Sequence, residues 1–519
     1  MASLCDRAGF VALVLGVLAA GEVSAELTRL RVERTERPRI VDAEGREVLL
    51  RGVNVNQLGD YYQDHPSIPS TVSLTEEDFA RIAALGMNVV RLIVHWSHLE
   101  PTPIGGVSEA YVQAIHQAVD WAKKYGLYVV LDMHQDAWGK HIATPPEETC
   151  LPAFERAIGW DGAPQWATFT DGLPTCRLFL RELSPAVAQA FQSFWIDRGG
   201  IQEHLVEVWA RLAREFAAEP AVAGYDFLNE PHPGWTVGGS EVSFLGLFYR
   251  RVLDAIRASE NGVPGGFPHI GFFEPMNYWS AVSAGLSPVP FTLDENVVYA
   301  PHLYAGSITA DRAVGLDLIS IARGFEQAEI EARRYGTTFW SGEWGWFGND
   351  GAQVSNDELD RVKEYARQED AHLVGGAWWQ WKQSCGDPHT IGTPGRDPKP
   401  PETPTSGNLV VLGCPANDDL GLVPQFAKVL SRAYPHAAPG RLLELRSDSD
   451  QGTLDLSGTH DGSGSGMLDV WAPGGTAPQA CGGGTGPVAI TPVAGGFRLR
   501  TAVAAGEYEL RLGPAACPD

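Results

Sequence analysis

Positive charge is what this chain most lacks. Its 39 Lys and Arg stand against 64 Asp and Glu, a formal charge of −25. Such a surface repels the phosphates of nucleic acid, so no nucleic-acid partner is expected. Long apolar runs are missing as well. The longest, Phe10–Ala20, falls short of the ~20 residues that span a bilayer. With Arg7 before it and Val23-Ser24-Ala25 after it, residues 1–25 read as a secretory signal cleaved after Ala25, an uncleaved anchor being the alternative. The mature chain then has no transmembrane segment and is exported to the extracellular space or a periplasm. Also absent are a G-x-S-x-G elbow, a Walker loop, an H-E-x-x-H helix and zinc-type C-x2-C or H-x3-H spacing. No metal and no cofactor is expected.

What is present is ordinary globular sequence, 44% hydrophobic and 20% charged, with 58 Gly and 36 Pro for many turns. Its 519 residues suit one large domain and a small one. Six cysteines outlast the signal, an even number that favours disulfides in an exported chain. Neighbouring cysteines bracket loop-like segments, which suggests the pairs 150–176, 385–414 and 481–517.

From Val48 onward, β-branched runs alternate with helical patterns: "VLLRGVNVN", "NVVRLIVHW", "LYVVLDMHQD", "VAGYDFLNEP", "HIGFFEP", "NVVYAPHLY", "TTFWSGEWG" and "LVGGAWWQW". Eight strand-then-helix units predict an α/β fold, a closed (β/α)8 TIM barrel over residues 26–435. An open doubly wound sheet would carry a Gly-rich nucleotide turn after its first strand, and "GVNVNQLGDYY" is no such turn. After Pro435 the runs become short, alternating and separated by Gly, Pro or Asp, as in "GTLDLSG" and "GEYELRLG". That pattern predicts a C-terminal antiparallel β-sandwich over 436–519, with packing against the barrel as its expected task. Residues 392–407 form a Pro-rich loop.

Active sites of such barrels form at the C-terminal ends of the strands. Those ends hold Arg91, His134, Asp136, Asn229, Glu230, His302, Tyr304, Glu343, Trp379 and Trp381. Glu230 and Glu343, on strands four and seven, form the carboxylate pair that hydrolyses a glycosidic bond, one as proton donor and one as nucleophile. The expected assignment is Glu230 the acid and Glu343 the nucleophile. Asn229 would bond the sugar 2-hydroxyl, while Tyr304 and Arg91 would keep Glu343 ionised. Two glutamates ~5 Å apart repel by roughly 3 kcal/mol at an effective dielectric of 20, about two pKa units, which would keep Glu230 protonated. His134 and His302 read as pocket support, and of the adjacent Trp378 and Trp379 the latter is assigned to the pocket because strand neighbours point oppositely. The strand-end histidines leave a metal-dependent hydrolase open as an alternative.

"DFLNEP" and "FWSGEWG", with "VVRLIVHW", "LDMHQD" and "APHLY", resemble glycoside hydrolase family 5. "MHQDAWG" and "GWDGAPQWATFTDGLPTC", followed by a β-sandwich, resemble its endoglycoceramidase branch over roughly residues 45–515. The resemblance implies a retaining β-glycosidase that separates a sugar headgroup from ceramide, with a covalent intermediate on Glu343. It further implies His134 and Asp136 as headgroup contacts, His302 in the substrate pocket, Trp379 as stacking platform, and a glycolipid partner at a membrane or micelle surface. Members that take glucose-linked headgroups place a lysine after strand one, and "NVNQLGDYYQDHPSIPS" has none, which favours a galactose-linked headgroup. A glucanase or mannanase of the same clan, or a non-catalytic glycan-binding barrel, are the other readings. An apolar trough for the lipid is expected from "GLDLISIARGF" or from the loop 137–199 with Trp138, Trp160 and Trp166.

Overall fold

The computed structural model describes residues 27–313, 315–346, 354–391 and 407–513. Eight parallel strands form its centre: β1 Gly52–Val55, β2 Val89–His95, β3 Tyr128–His134, β4 Val222–Asp226, β5 Ile270–Phe273, β6 Val297–Tyr299, β7 Ser341–Trp344 and β8 Gly376–Trp378. They lie in the order β6-β5-β4-β3-β2-β1-β8-β7. A parallel bridge between Tyr299 and Phe339 joins the two ends, so the sheet closes into the predicted barrel.

Both faces of each strand are buried, which is why the runs read as continuous apolar stretches. Along β2, Val90, Leu92 and Val94 join the core beneath the helices, while Val89, Arg91 and Ile93 turn to the barrel interior. At the N-terminal mouth the hairpin Arg31–Glu33/Arg39–Val41 caps the barrel, Leu30, Val32 and Ile40 packing on Val130, Ile270 and Trp340. The other mouth therefore holds the inward polar side chains.

Two four-stranded antiparallel sheets follow the barrel. One orders its strands 434–437, 467–473, 496–502 and 489–493, the other 441–448, 453–460, 506–513 and 479–483. Leu442, Leu454, Val470, Leu499 and Leu510 from both sheets fill one core, the predicted sandwich. Two strands, Tyr434–Ala437 and Gln479–Gly483, escape the sequence reading because each is short and holds Pro or Gly. Trp471 of the sandwich lies over Gly86 of the barrel, where a Cβ would stand 2.0 Å from its indole nitrogen, and Gly86 has φ +73. Ser447 donates through its amide and hydroxyl to Asp370, which also pairs with Arg51 and Arg432.

Disulfides join Cys150 to Cys176 and Cys385 to Cys414 as expected. Cys517, the signal segment 1–25 and all but the last residue of the loop 392–407 lie outside the described residues. Among the described residues no helix is long and apolar enough to cross a membrane.

Candidate active site

Strand register explains the first layer of the site. Asp132 on β3 is level with Asp226 on β4, and both turn inward around Arg91, which is fully buried. The Arg91 guanidinium pairs with Asp132, Asp226, Glu274 and Glu343 at 3.0, 3.0, 2.9 and 2.8 Å. It also donates to Asn229 Oδ1 at 3.0 Å and Asn54 Oδ1 at 3.1 Å. A planar fork with five N–H groups is suited to holding several carboxylates in fixed positions. Asn229 Nδ2 donates to Gln135 O at 3.1 Å, so the orientation of this side-chain amide is set from both its oxygen and its nitrogen.

Above this layer the two predicted carboxylates meet. Ligand atoms of Glu230, His302 and Glu343 all lie within 4.8 Å of one another, close enough for the ~5 Å geometry of double displacement and too close for the ~6.5–9.5 Å of inversion. Glu343 accepts from Arg91 on Oε1 and from the Tyr304 hydroxyl on Oε2 at 2.9 Å. His302 Nδ1 stands 2.8 Å from Glu230 Oε1 and 3.3 Å from Glu343 Oε2, and its Nε2 is 3.2 Å from Glu274.

The bare-repulsion expectation, a protonated Glu230 beside an ionised Glu343, is modified by this third group. Burial disfavours the His302 cation, but the carboxylates of Glu274 and Glu343 outweigh it and hold the imidazole well above its usual range. Burial also pushes the Glu230 carboxyl up, yet the hydrogen bond and charge of His302 bring it below the ordinary carboxylate range. Glu343 is raised by burial against the opposing charges of His302 and Arg91. His302 thus favours the ionised form of Glu230, to which it is hydrogen-bonded at 2.8 Å.

Glu230 itself has φ +38, in the left-handed region, where a side chain with a Cβ costs about 1–3 kcal/mol. Its backbone N–H donates to Glu274 Oε2 at 2.8 Å. Gln135 donates to the carbonyls of Asn229 and Glu230 at 2.8 and 3.0 Å. The Asn229-Glu230-Pro231 turn is thus clamped from β3 and β5.

A polar wall faces the carboxylates from the loops after β3 and β8. Asp136 is bound by Arg181 at 2.5 Å and His389 at 2.7 Å. These cations and His134 overcome burial and hold its carboxyl well below the usual range. His389 is raised to about 9, burial being outweighed by Asp387 and Asp136. His134, fixed by Asp132 at 2.7 Å, stacks on Trp379 with ring centres 5.3 Å apart. Trp379 packs with Tyr304 and Ile93 inside the barrel, while Trp378 turns outward onto Trp344 and Phe426. Trp381 leaves the site, its indole N–H donating to Asp78.

The loop tryptophans do not line a trough. Trp138 and Trp160 are buried, and Trp138 packs on Phe191 and Phe194 to hold the loop together. Trp166 packs edge-on to Trp96.

Sequence reading missed Glu274, Arg181, His389, Asp132 and Asp226. For Glu274 the signal was present: "FFEP" repeats the strand-Glu-Pro pattern of "LNEP". Asp132 and Asp226 stood out as charges inside buried strands. Arg181 and His389 come from aperiodic loops and carry no local signal. Asp132, Asp226 and Glu274 surround Arg91, which already supplies their positive charge, whereas His134, Asp136 and Asp161 are the donor set a divalent cation would use.

The cellulase (glycosyl hydrolase family 5) model matches residues 41–384. The chain belongs to glycosyl hydrolase family 5. Within this family it is 28% identical to endoglycoceramidase I of Rhodococcus hoagii over 319 residues, 57% of either chain. Identity to an endoglycoceramidase of Cyanea nozakii is 27% over 313 residues, covering 53% of this chain and 57% of the relative. The aligned part thus spans a little over half the length of these curated relatives. A solved endogalactoceramidase superposes with TM-score 0.83 at 45% identity, covering 94% of this chain and all of the other. The lactosyl-enzyme intermediate of endo-glycoceramidase II from Rhodococcus sp. superposes with TM-score 0.68 at 25% identity, covering 92% of this chain and all of the other.

Proposed function

We propose that this family 5 protein is an exported retaining β-glycosidase that cleaves the bond between a galactose-linked headgroup and ceramide. The observation that carries the proposal is the approach of Glu230 and Glu343 to within 4.8 Å across one polar cleft. Support for the substrate comes from the endogalactoceramidase likeness and from the absence of a lysine after β1. The partner is a glycolipid at a membrane or micelle surface. Residues 1–25 serve as the signal, 26–435 as the catalytic barrel and 436–519 as a packing domain.

In this reading Glu343 attacks the anomeric carbon as a carboxylate held by Arg91 and Tyr304. Glu230 protonates the departing ceramide oxygen, drawing its proton from His302 Nδ1. Water, deprotonated by Glu230, then releases the sugar from Glu343 with net retention. Asn229 takes the 2-hydroxyl, His134 and Asp136 contact the headgroup, and Trp379 offers the stacking face. His302 and Glu274 position and charge the acid.

Galactosyl-, glucosyl- and lactosylceramide, each incubated with the protein and followed by mass analysis of the products, test this assignment. Ceramide and an intact sugar are expected, with the galactose-linked lipid turned over fastest. Release from none of them would remove the lipid assignment.

A second expectation concerns Glu274. In Glu274→Gln the amide cannot accept from the Glu230 N–H, Arg91 and His302 together, and the negative charge of Glu274 beside His302 is lost. His302 then gives up its proton at lower pH, so the basic limb of kcat/KM moves down by about one unit or more. With the acid less often charged, kcat falls by about 10²-fold. An unchanged basic limb would show that Glu274 has no hold on the proton.

A further inference from the structure

The carboxylate pair and the sugar contacts leave one side of the cleft without a task, the crevice beside Glu230. We propose that Glu182, Asn277 and Tyr278 form a polar subsite there for the amide and 3-hydroxyl of the leaving alcohol. The protein thereby selects an N-acylated amino alcohol over an ester-linked glycerolipid that carries the same galactose. The inference rests on the proposed glycolipid substrate.

The two oxygens of Glu230 have different surroundings. Oε1 accepts from His302 Nδ1 at 2.8 Å and from Ser280 Oγ at 3.2 Å. Among the described residues no hydrogen bond reaches Oε2, and Arg181 Nη2 stands 3.8 Å from it. Oε2 is thus the oxygen free to exchange a proton with the leaving group. A crevice lined by Glu182, His232 and Asn277 begins at Glu230. Its lining comes from the loops after β3, β4 and β5, across the barrel from Glu343 on β7 and Trp379 after β8.

The polar groups of this crevice are left with unused bonding capacity. Asn277 is 9% exposed, and its side-chain oxygen is buried with no hydrogen-bond partner among the described residues. Native folds pair nearly all such atoms, so an unpaired acceptor at a crevice points to a ligand group that donates. The Asn277 backbone N–H donates to Pro231 O at 3.0 Å, which seats the side chain beside the Asn229-Glu230-Pro231 turn. His232 Nδ1 accepts from the Gly234 amide at 3.0 Å, and burial depresses the imidazole to about 3, so the neutral ring carries its proton on Nε2. Nε2 donates to the Tyr278 oxygen at 2.9 Å, and the phenol proton is left for another acceptor. Burial and then the Glu182 charge push the Tyr278 phenol up, which places these two groups on the same crevice. Glu182 gives one carboxylate oxygen to Arg181, and its other oxygen has no partner on another described residue.

These groups match one kind of leaving alcohol. In ceramide the carbon next to the leaving CH2–O bears an amide and the following carbon a hydroxyl, both within a few bonds of the oxygen that Glu230 protonates. Their N–H and O–H face the acceptors Glu182 and Asn277, and the amide carbonyl accepts from Tyr278. A diacylglycerol presents ester oxygens at the same two carbons and no donor. Its entry displaces water and leaves both acceptors unpaired, the situation in which a site built for N–H or O–H groups rejects the analogue that lacks them.

The test gives the full chain galactosylceramide or galactosyl diacylglycerol of matched acyl chains in the same neutral detergent micelles. The wild type is expected to favour the ceramide by about 10²-fold or more in kcat/KM. Asn277→Leu, Glu182→Leu and Tyr278→Phe each remove one hydrogen-bonding group at similar volume, and Glu182→Leu leaves Arg181 its pair with Asp136. Each should shrink the preference by about 10-fold, with the loss falling on the ceramide substrate. Calorimetry supplies a reading independent of turnover. A short-chain ceramide should bind the wild type at least about 10-fold more tightly than a short-chain diacylglycerol, and the variants should narrow that gap. Equal use of the two lipids by the wild type, or an undiminished preference in all three variants, would overturn the proposal. So would equal losses on both lipids, which would show a role in the fold of the loops alone. Selective ceramide binding by a protein that releases no ceramide would defeat the substrate assignment and leave the subsite standing. Ceramide release without preference over the glycerolipid would do the reverse.

Discussion

Glu343→Gly is expected to lower hydrolysis by about 10⁶-fold, the scale reached when a covalent nucleophile is removed, and to regain part of it with azide or formate. The expectation follows from the surroundings of Glu343. Removing it takes one carboxylate from Arg91 and leaves Asp132, Asp226 and Glu274 paired with the guanidinium. Arg91 therefore keeps buried carboxylate partners, and the loss is chemical. The space vacated by the side chain lies beside Tyr304 and Arg91, two donors that would receive a small anion in place of the carboxylate. Such an anion attacks the same carbon from the same face as Glu343, so the product with azide has inverted configuration. NMR of the glycosyl azide checks this, and a retained product would move the nucleophile to another residue.

Glu230→Ala separates the acid from the nucleophile. A ceramide alcohol is a poor leaving group and needs its oxygen protonated, so turnover of glycolipid should drop by about 10²–10⁴-fold. A dinitrophenyl galactoside needs no proton, and formation of its covalent intermediate should stay near the wild-type rate. Because Glu230 also serves as base in the second step, the intermediate accumulates and a burst of dinitrophenolate precedes a slow steady state. Equal loss for both leaving groups would show that Glu230 acts through the structure of the turn, which its φ of +38 and its clamp by Glu274 make the rival explanation. Reversal of the two phenotypes between Glu230 and Glu343 would exchange their roles.

The barrel was legible because period and burial leave marks in one dimension. Runs such as "NVVRLIVHW" and "LYVVLDMHQD" are apolar on both faces, and parallel strands between helices and a barrel interior require that. Strand-end carboxylates were legible for a related reason: a charge that terminates a buried run must have a purpose. Glu274 carried the same mark and was passed over, because strand five offered one carboxylate with no sequence partner. Arg181 and His389 carried none, since loop residues reach a cleft by routes that have no period.

Chain order and side-chain pattern alone determined the eight-unit barrel, the trailing sandwich, two of the cysteine pairs and the pair of opposed glutamates. Tertiary structure decided which groups bear on each carboxyl, because that depends on distances among His302, Glu274, Glu230 and Glu343, which come from four different strand ends. It also decided which aromatics pack and which meet solvent, placing Trp138 inside a loop and leaving Trp235 half exposed. Burial and charge coupling act through space at a few ångströms, and residues far apart along the chain acquire those distances only when the barrel closes.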